Sequence, residues 1–281
     1  MSGFSRHGKC LYGKSALRRT GNLVKKFRGV FLKNENELDI MREANKIGAA
    51  ILDAMQAEVK EGLPTMRFEE IAQDMCAKYK VRPAFQGYYG FPYALCCSVN
   101  EVVVHGFPSK DRILRSGDIV SFDFGVVFEG FFSDSARTIA VGEVAPEVAR
   151  LMRVTEESLM RAIEQARPGN TLNDVSGAVQ KHADAHGLAV IKRFVGHGVG
   201  RSLHEKPEIP NFVPAIGMPL PLKTGMVLAI EPMLALGTHE VEVLADNWTA
   251  VTKDRKFAAH YEHSVAVTAR GPEILSLSPA A

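Results

Sequence analysis

The chain repeats itself, and that constrains its fold more than any other feature of its 281 residues. LRSGDIVSFD, Leu114 to Asp123, aligns without a gap with LKTGMVLAIE, Leu222 to Glu231. Nine of the ten positions agree in chemical type, Asp118 against Met226 being the exception, and both segments end in a carboxylate. The elements around them recur in the same order. Asn34 starts a helical pattern with Glu37 three residues on, a capping-box pair, and Ile40, Ala44, Ile47, Ile51, Met55 and Val59 follow at helical spacing until Gly62 and Pro64. Thr65 is the expected cap of a second helix, with Phe68, Ile71, Ala72, Met75 and Tyr79 on its apolar face. Later, Pro146 opens a helix carrying Val148, Leu151, Met152, Leu159 and Ile163, Pro168 and Gly169 end it, and Thr171 caps a shorter one running to Gly187. A second echo pairs HGFP, His105 to Pro108, with HEKP, His204 to Pro207. Two echoes in one order predict two related halves, about 35–141 and 146–268, folded around a shared centre, because repeats bury their faces against one another. A glycine turn before an apolar strand is a common string, but it does not account for the matched carboxylates.

Acids in apolar strands are the second constraint. IVSFDFGVVFEGFFSDSA, Ile119 to Ala136, reads as a hairpin of strands 119–128 and 131–141 joined by Glu129-Gly130. In that register Phe128 faces Phe131 and Asp123 faces Ala136, so Asp134 shares the face of Asp123 by the alternation of strand side chains. The two carboxylates become diagonal neighbours, roughly 7–8 Å apart at the backbone. They repel unless one is protonated or a cation lies between them. The second half supplies Glu231, in AIEPM, and a later strand supplies Glu262, in AHYEHSVAV. Two divalent cations would cancel four such acids, and His197 in VGHGVG offers an imidazole flanked by glycines that permit close backbone approach. Five ligands of this kind suit a metal pair about 3.5–4 Å apart that activates a water near neutral pH. Taken singly each has a plainer role: a strand-end acid for Asp123 or Asp134, an edge acid before proline for Glu231, a satisfied loop histidine for His197. The zincin signature is excluded, because HEKPE places Glu208 where H-E-x-x-H needs its second histidine.

Composition bounds the rest. With 46% hydrophobic and 23% charged residues the chain builds a sizeable core. No run of about 18 apolar residues suggests a membrane span, and the N-terminus lacks the apolar segment of a secretory signal, so no membrane association and an intracellular, cytoplasmic location are expected. Cys10, Cys76, Cys96 and Cys97 include no C-x-x-C and fit neither a disulfide framework nor a zinc ribbon; reduced thiols are expected. Net charge is +2, yet residues 1–30 carry eight Lys and Arg and no acid, leaving the remainder at −6. That head reads as a basic, flexible extension: a solvated tail, an arm touching RNA such as the ribosome's, or an organelle transit peptide. The chain's size leaves one large domain or two small ones open, and without a heptad or obvious interface segment a monomer is expected.

FDFG and SDSA, GHGVGRSLHEKP, AIEPM and YEHSVAVT, in this order and at these separations, closely resemble the type I methionine aminopeptidases over about residues 31–270. The resemblance implies an α+β pita-bread (creatinase/aminopeptidase) fold, two pseudo-symmetric halves with helices backing a curved antiparallel sheet, with residues 31–281 as a single catalytic domain. It implies removal of the initiator methionine from nascent polypeptides, with two divalent metal ions (Mn, Fe(II), Co or Zn) as cofactors. Asp123 would chelate one metal, His197 and Glu231 the other, and Asp134 and Glu262 would bridge both. His204 would donate to the scissile carbonyl oxygen, His105 would contact the amide nitrogen or its surroundings, and Glu231 would shuttle the proton from water to the leaving amine. The matching pocket positions are Tyr88, Phe91, Cys96, His105, Leu203, His204 and Trp248, the only tryptophan; ordinary core packing is the alternative for each apolar one. Departures from the family pattern are Phe85 and Phe91 where Cys and Tyr are frequent, Leu203 where Phe is common, and His260 where Gln is frequent. An aminopeptidase P or prolidase relative would share the ligands but usually carries a further N-terminal domain of well over a hundred residues. A creatinase-like C–N hydrolase matches the motifs less well. A non-enzymatic pita-bread protein binding RNA or peptides would show broken ligands.

Overall fold

The structure, a computed structural model, describes residues 25–216 and 218–278. Its centre is an eight-stranded antiparallel sheet. In chain order the strands are β1 (Leu95–Val99), β2 (Ile119–Phe124), β3 (Ser135–Ala140), β4 (Gly196–Gly198), β5 (Glu205–Ile209), β6 (Val227–Ile230), β7 (Glu262–Thr268) and β8 (Gly271–Ile274). Across the sheet they run β5-β4-β6-β7-β3-β2-β1, with β8 also on β7. The order is palindromic about the β7–β3 pair: outward on one side lie β3, β2 and β1 of the first half, on the other β7, β6 and β4 of the second. The echoed segments occupy equivalent places, β2 carrying Asp123 and β6 ending just before Glu231.

The hairpin register is the expected one, Asp123 opposite Ala136 and Phe128 opposite Phe131. Glu129 and Gly130 form its turn with φ of 47° and 80°, the doubly left-handed geometry that matches strand twist. The strands are not continuous over 119–128 and 131–141, however. They break at Gly125 and at Ser133-Asp134, and Val126–Phe128 pairs instead with Phe131–Phe132 and Arg82–Pro83 in a separate small sheet. Close approach causes the break: a Cβ on Gly125 would lie 2.1 Å from the Ser133 carbonyl oxygen, and the Ser133 hydroxyl accepts from Val126 N–H at 3.0 Å. Asp134 therefore sits in the bend itself.

Among the described residues four α-helices cover the halves: α1 (Glu35–Glu58), α2 (Met66–Tyr79), α3 (Pro146–Gln165) and α4 (Leu172–Ala185). The α1 capping box forms as read, Glu37 N–H donating to Asn34 Oδ1 at 3.1 Å and Asn34 N–H to Glu37 Oε2 at 3.0 Å. Thr65 does not cap α2 with its side chain; its hydroxyl is engaged with the backbone of Ser109 instead. At α4, the Asp174 carboxylate accepts from both the N–H and hydroxyl of Thr171. Val120, Phe122 and Phe124 of β2 pack on Ile51, Met55, Phe68 and Ala72 of α1 and α2. Leu228 and Ile230 of β6 pack likewise on Leu159, Ile163, Val175 and Val179 of α3 and α4. Alternate residues are thereby committed to helices, which leaves Asp123 and Glu231 for the other face.

The seam between the halves is short: β7 and β3 share only the pairs Glu262–Ala136 and His263–Ser135. Side chains extend it. Thr138 Oγ1 donates to the His260 carbonyl at 2.7 Å and accepts from His260 N–H at 3.0 Å, Tyr261 Oη donates to the Thr138 carbonyl, and Ser264 Oγ to that of Asp134.

Residues 25–30, which the sequence places with the basic head, are folded. Lys25–Phe27 pairs with Val30–Leu32, and Val30 joins the core of the second half. Residues 1–24 lie outside the described residues, and with them most of the head. Just beyond, Lys33 and Glu205 form a buried ion pair at 2.7 Å, and Glu205 also accepts from Arg201 and Ser202 N–H. Burial pulls the Lys33 ammonium below its ordinary pKa. Lys33→Met is expected to destabilise the protein by about 3–5 kcal/mol, because it leaves a buried carboxylate unpaired; an unchanged urea midpoint would contradict this. Among the described residues no helix is long and apolar enough to cross a membrane.

Candidate metal centre and substrate pocket

Strand register sets the acids in one row. Cys96 pairs with Asp123, Asp123 with Ala136, and Ala136 with Glu262, so these side chains share a face across β1, β2, β3 and β7. Ile230 pairs with His263, and one further step in that register sets Glu231 beside Glu262. The Ala136 methyl leaves open the space between Asp123 and Glu262 that a larger side chain would fill. Asp134 lies two residues from Ala136, on the same side. His197 on β4 faces them from the far side: its Nε2 is 3.6 Å from Asp134 Oδ2 and 3.5 Å from Glu231 Oε1. Donor atoms of Asp134, His197 and Glu262 all lie within 4.8 Å of one another. The glycines beside His197 make this approach possible, since a Cβ on Gly196 would be 2.4 Å from the Ala229 carbonyl oxygen and one on Gly198 2.2 Å from that of Lys206.

Without counter-charge this arrangement is frustrated. Burial pushes the Asp123 carboxyl up to about 7. Asp134, Glu231 and Glu262 are pushed well above the carboxylate range, first by burial and then by the neighbouring acids. Asp123 Oδ1, Asp134 Oδ1 and Glu262 Oε1 are buried with no hydrogen-bond partner. His197 has its pKa lowered to about 3 by burial, and then by His204, so it carries one ring proton. Its Nδ1 is 3.0 Å from the Gly198 carbonyl, which can only accept; the proton is therefore on Nδ1, and the Nε2 lone pair points at two carboxylates. Lone pairs facing lone pairs at 3.5 Å are what metal ligands look like. One imidazole and four carboxylates fit hard-to-borderline divalent ions.

The pocket beside the acids has a volume of about 250 Å³. Tyr88, Phe91, Cys96, His105, Leu203, His204 and Trp248 all line it, together with the five acid and histidine donors. Trp248 stands edge-on to Phe91, ring centroids 5.1 Å apart, and to His105 at 6.0 Å. Leu203, Phe85, Phe91 and Cys96 pack in one apolar cluster, so three of the four departures from the family pattern, Phe85, Phe91 and Leu203, are buried side by side there. His105 adopts φ 59°, a left-handed conformation uncommon for a side-chain-bearing residue, and burial lowers its pKa to about 4. His204 Nδ1 is hydrogen-bonded to Tyr88 Oη at 2.8 Å, and its ring is 4.2 Å from that of His197; desolvation lowers its pKa too.

Two contributions were not assigned a role from the sequence. His260 is buried with its Nε2 unpartnered and 3.7 Å from Glu231 Oε2; its place two residues before Glu262 on an alternating strand was the available signal. Phe194 lines the pocket and stacks edge-on against His105, and nothing in RFVGHG marks it out.

The profile of metallopeptidase family M24 matches residues 39–269. The chain belongs to that family. Among M24 proteins, a methionine aminopeptidase of Clostridium perfringens is 48% identical over 248 residues, covering 88% of this chain and 99% of the relative. The crystal structure of the methionine aminopeptidase of Thermotoga maritima superposes with a TM-score of 0.85 at 43% identity, over 88% of this chain and 99% of that one. A Pyrococcus furiosus prolidase shares the fold at a TM-score of 0.70 and 23% identity, but the match covers 65% of its length. An M24 chain is thus a pita-bread metallopeptidase, and its divalent-metal requirement agrees with the donor set described above.

Proposed function

We propose that the protein is a methionine aminopeptidase that removes the initiator methionine from nascent polypeptides. The observation that carries this reading is one pocket: five metal donors floor a cavity walled by Phe91, Leu203 and Trp248, apolar and polarizable enough for a thioether side chain. Two divalent ions (Mn, Fe(II), Co or Zn), held by Asp123, Asp134, His197, Glu231 and Glu262, would supply counter-charge and lower the pKa of the attacking water.

The remaining steps belong to side chains. The pocket takes the methionine side chain and directs the substrate's α-amine toward the acids, where a free, uncharged amine fits and a blocked one does not. Glu231 accepts the proton of the attacking water and returns it to the leaving amine. His204, oriented by Tyr88, donates to the carbonyl oxygen as negative charge gathers there. His105, held neutral by burial, contacts the scissile amide. Asp123 and Asp134 from one side of the seam and His197, Glu231 and Glu262 from the other would hold the ions between the halves.

The expected result is release of methionine from Met-Ala-Ser after chelation and readdition of Mn(II) or Co(II), with no cleavage of an X-Pro peptide. Cleavage of X-Pro without methionine release would select the prolidase-like reading instead. We further place the enzyme in the cytoplasm as a monomer, where nascent chains arise. Buried free thiols at Cys76, Cys96 and Cys97 agree with a reducing compartment, and the basic head is a candidate contact for the ribosome.

A further inference from the structure

A second set of metal donors converges on the helices, sharing no residue with the centre described above. HADAH, His182 to His186, sets two imidazoles four residues apart at the C-terminal end of α4, which places them one turn apart on the same face. Their ring centroids are 4.5 Å apart. Across the α3–α4 interface Glu157 brings Oε2 to 2.8 Å from His182 Nε2, and one ligand atom from each of the three residues lies within 4.8 Å of the others.

The surroundings set up this trio as a ligand group. His186 Nδ1 donates to the His182 carbonyl at 2.9 Å, which fixes its tautomer and leaves the Nε2 lone pair free. Arg153 holds the other carboxylate oxygen, Oε1, at 2.9 Å, so Oε2 is the one turned to the imidazoles. Arg150 donates to the His186 carbonyl and pins the end of α4. The His182 side chain is 10% exposed whereas that of Glu157 is 39% exposed, so one side of the cluster is open to water.

We propose that Glu157, His182 and His186 form a second metal site, for Zn²⁺ or a similar borderline divalent ion, with water completing a tetrahedron and the ion clipping α3 to α4. Two imidazoles and one carboxylate are a recurrent zinc set, with metal–ligand distances of about 2.0–2.2 Å. The proton that His182 Nε2 donates to Glu157 Oε2 moves to Nδ1 or leaves to water as the ion takes that lone pair, and the partly exposed Glu157 side chain turns to open the 2.8 Å contact. The inference is independent of the substrate reading.

Equilibrium dialysis of the full chain against Zn(II), with metal counted by emission spectrometry, tests it. Wild type is expected to bind one equivalent more than His186→Gln and His182→Asn, or to bind that equivalent at least tenfold more tightly, the loss typical of weakened metal shells. Methionine release after reconstitution should stay within about twofold of wild type in His186→Gln, because the site lies outside the catalytic machinery. In an Asp134→Asn background, Zn(II) should still raise the melting temperature, and adding His186→Gln should remove that part of the rise. Equal stoichiometry and affinity in wild type and both variants, or a Zn(II)-induced rise unaffected by His186→Gln, would overturn the proposal.

Discussion

Asp134→Asn is expected to abolish methionine release while leaving the fold intact. The side chain sits in the bend between the two parts of the hairpin, beside His197 and within donor distance of Glu262, so its loss strips a ligand from the middle of the proposed pair. Even outer-shell partners are worth about 10–100-fold in activity or metal affinity, and a direct ligand should exceed that. Stability should move the other way. In the metal-free protein Asp134 is a buried acid held protonated by burial and by Asp123 and Glu231, and an amide replaces it without that penalty. Activity within tenfold of wild type at saturating metal would rule out the proposed role, and a collapsed melting temperature would show a structural one instead.

The second large effect is on pH. Asp123 has its folded pKa raised from 3.8 to about 7, so between those values the folded state holds more protons than the unfolded one and stability falls as pH rises. Asp134, Glu231 and Glu262 are shifted in the same direction and extend the fall upward. The buried histidines oppose this at lower pH. His105 and His263 are lowered to about 4, and His197 and His260 to about 3, from 6.5, so their contribution is full above 6.5 and is lost as pH falls. The two sets partly cancel in mild acid, and above pH 6.5 only the acids remain. Metal-free protein should therefore melt lower at pH 8 than at pH 6.5, each carboxyl contributing about 1.4 kcal/mol for every unit through which it is forced to ionise and each kcal/mol about 2–4 °C. Saturating Mn(II) should reverse the slope, since the cation binds the ionised acids and expels their protons. Melting curves at both pH values in EDTA and in Mn(II) check this; a metal-free protein as stable at pH 8 as at pH 6.5 would contradict it.

Much of this was legible in the sequence because strand alternation is a strict rule. The Glu129-Gly130 turn fixed the register of Asp123 against Ala136, and the echo of Asp123 in Glu231 placed the second acid on an equivalent strand. What was not legible depended on contacts between distant segments. The break at Gly125 comes from a carbonyl eight residues away in the chain, which a period-2 pattern does not encode. Thr65 has the right residue type for a cap but finds Ser109 instead. Lys25 to Val30 carry the same basic composition as the residues before them, so nothing in the pattern announced that Phe27 and Val30 join the cluster of Leu228 and Ile230. His260 looked like a mere departure from a pattern until Glu231 appeared beside it.

The brevity of the seam has a consequence in time. Two backbone pairs and a few hydroxyls join β3 to β7, and the partners they join, Ala136 and Glu262, lie far apart along the chain. Contacts of such long sequence separation form slowly. Neither half holds all of the proposed ligands: Asp123 and Asp134 come from one, His197, Glu231 and Glu262 from the other. Cations shared across that line would be acquired only after the halves have met, and would then act as a latch, lengthening the life of the folded chain without hastening its arrival.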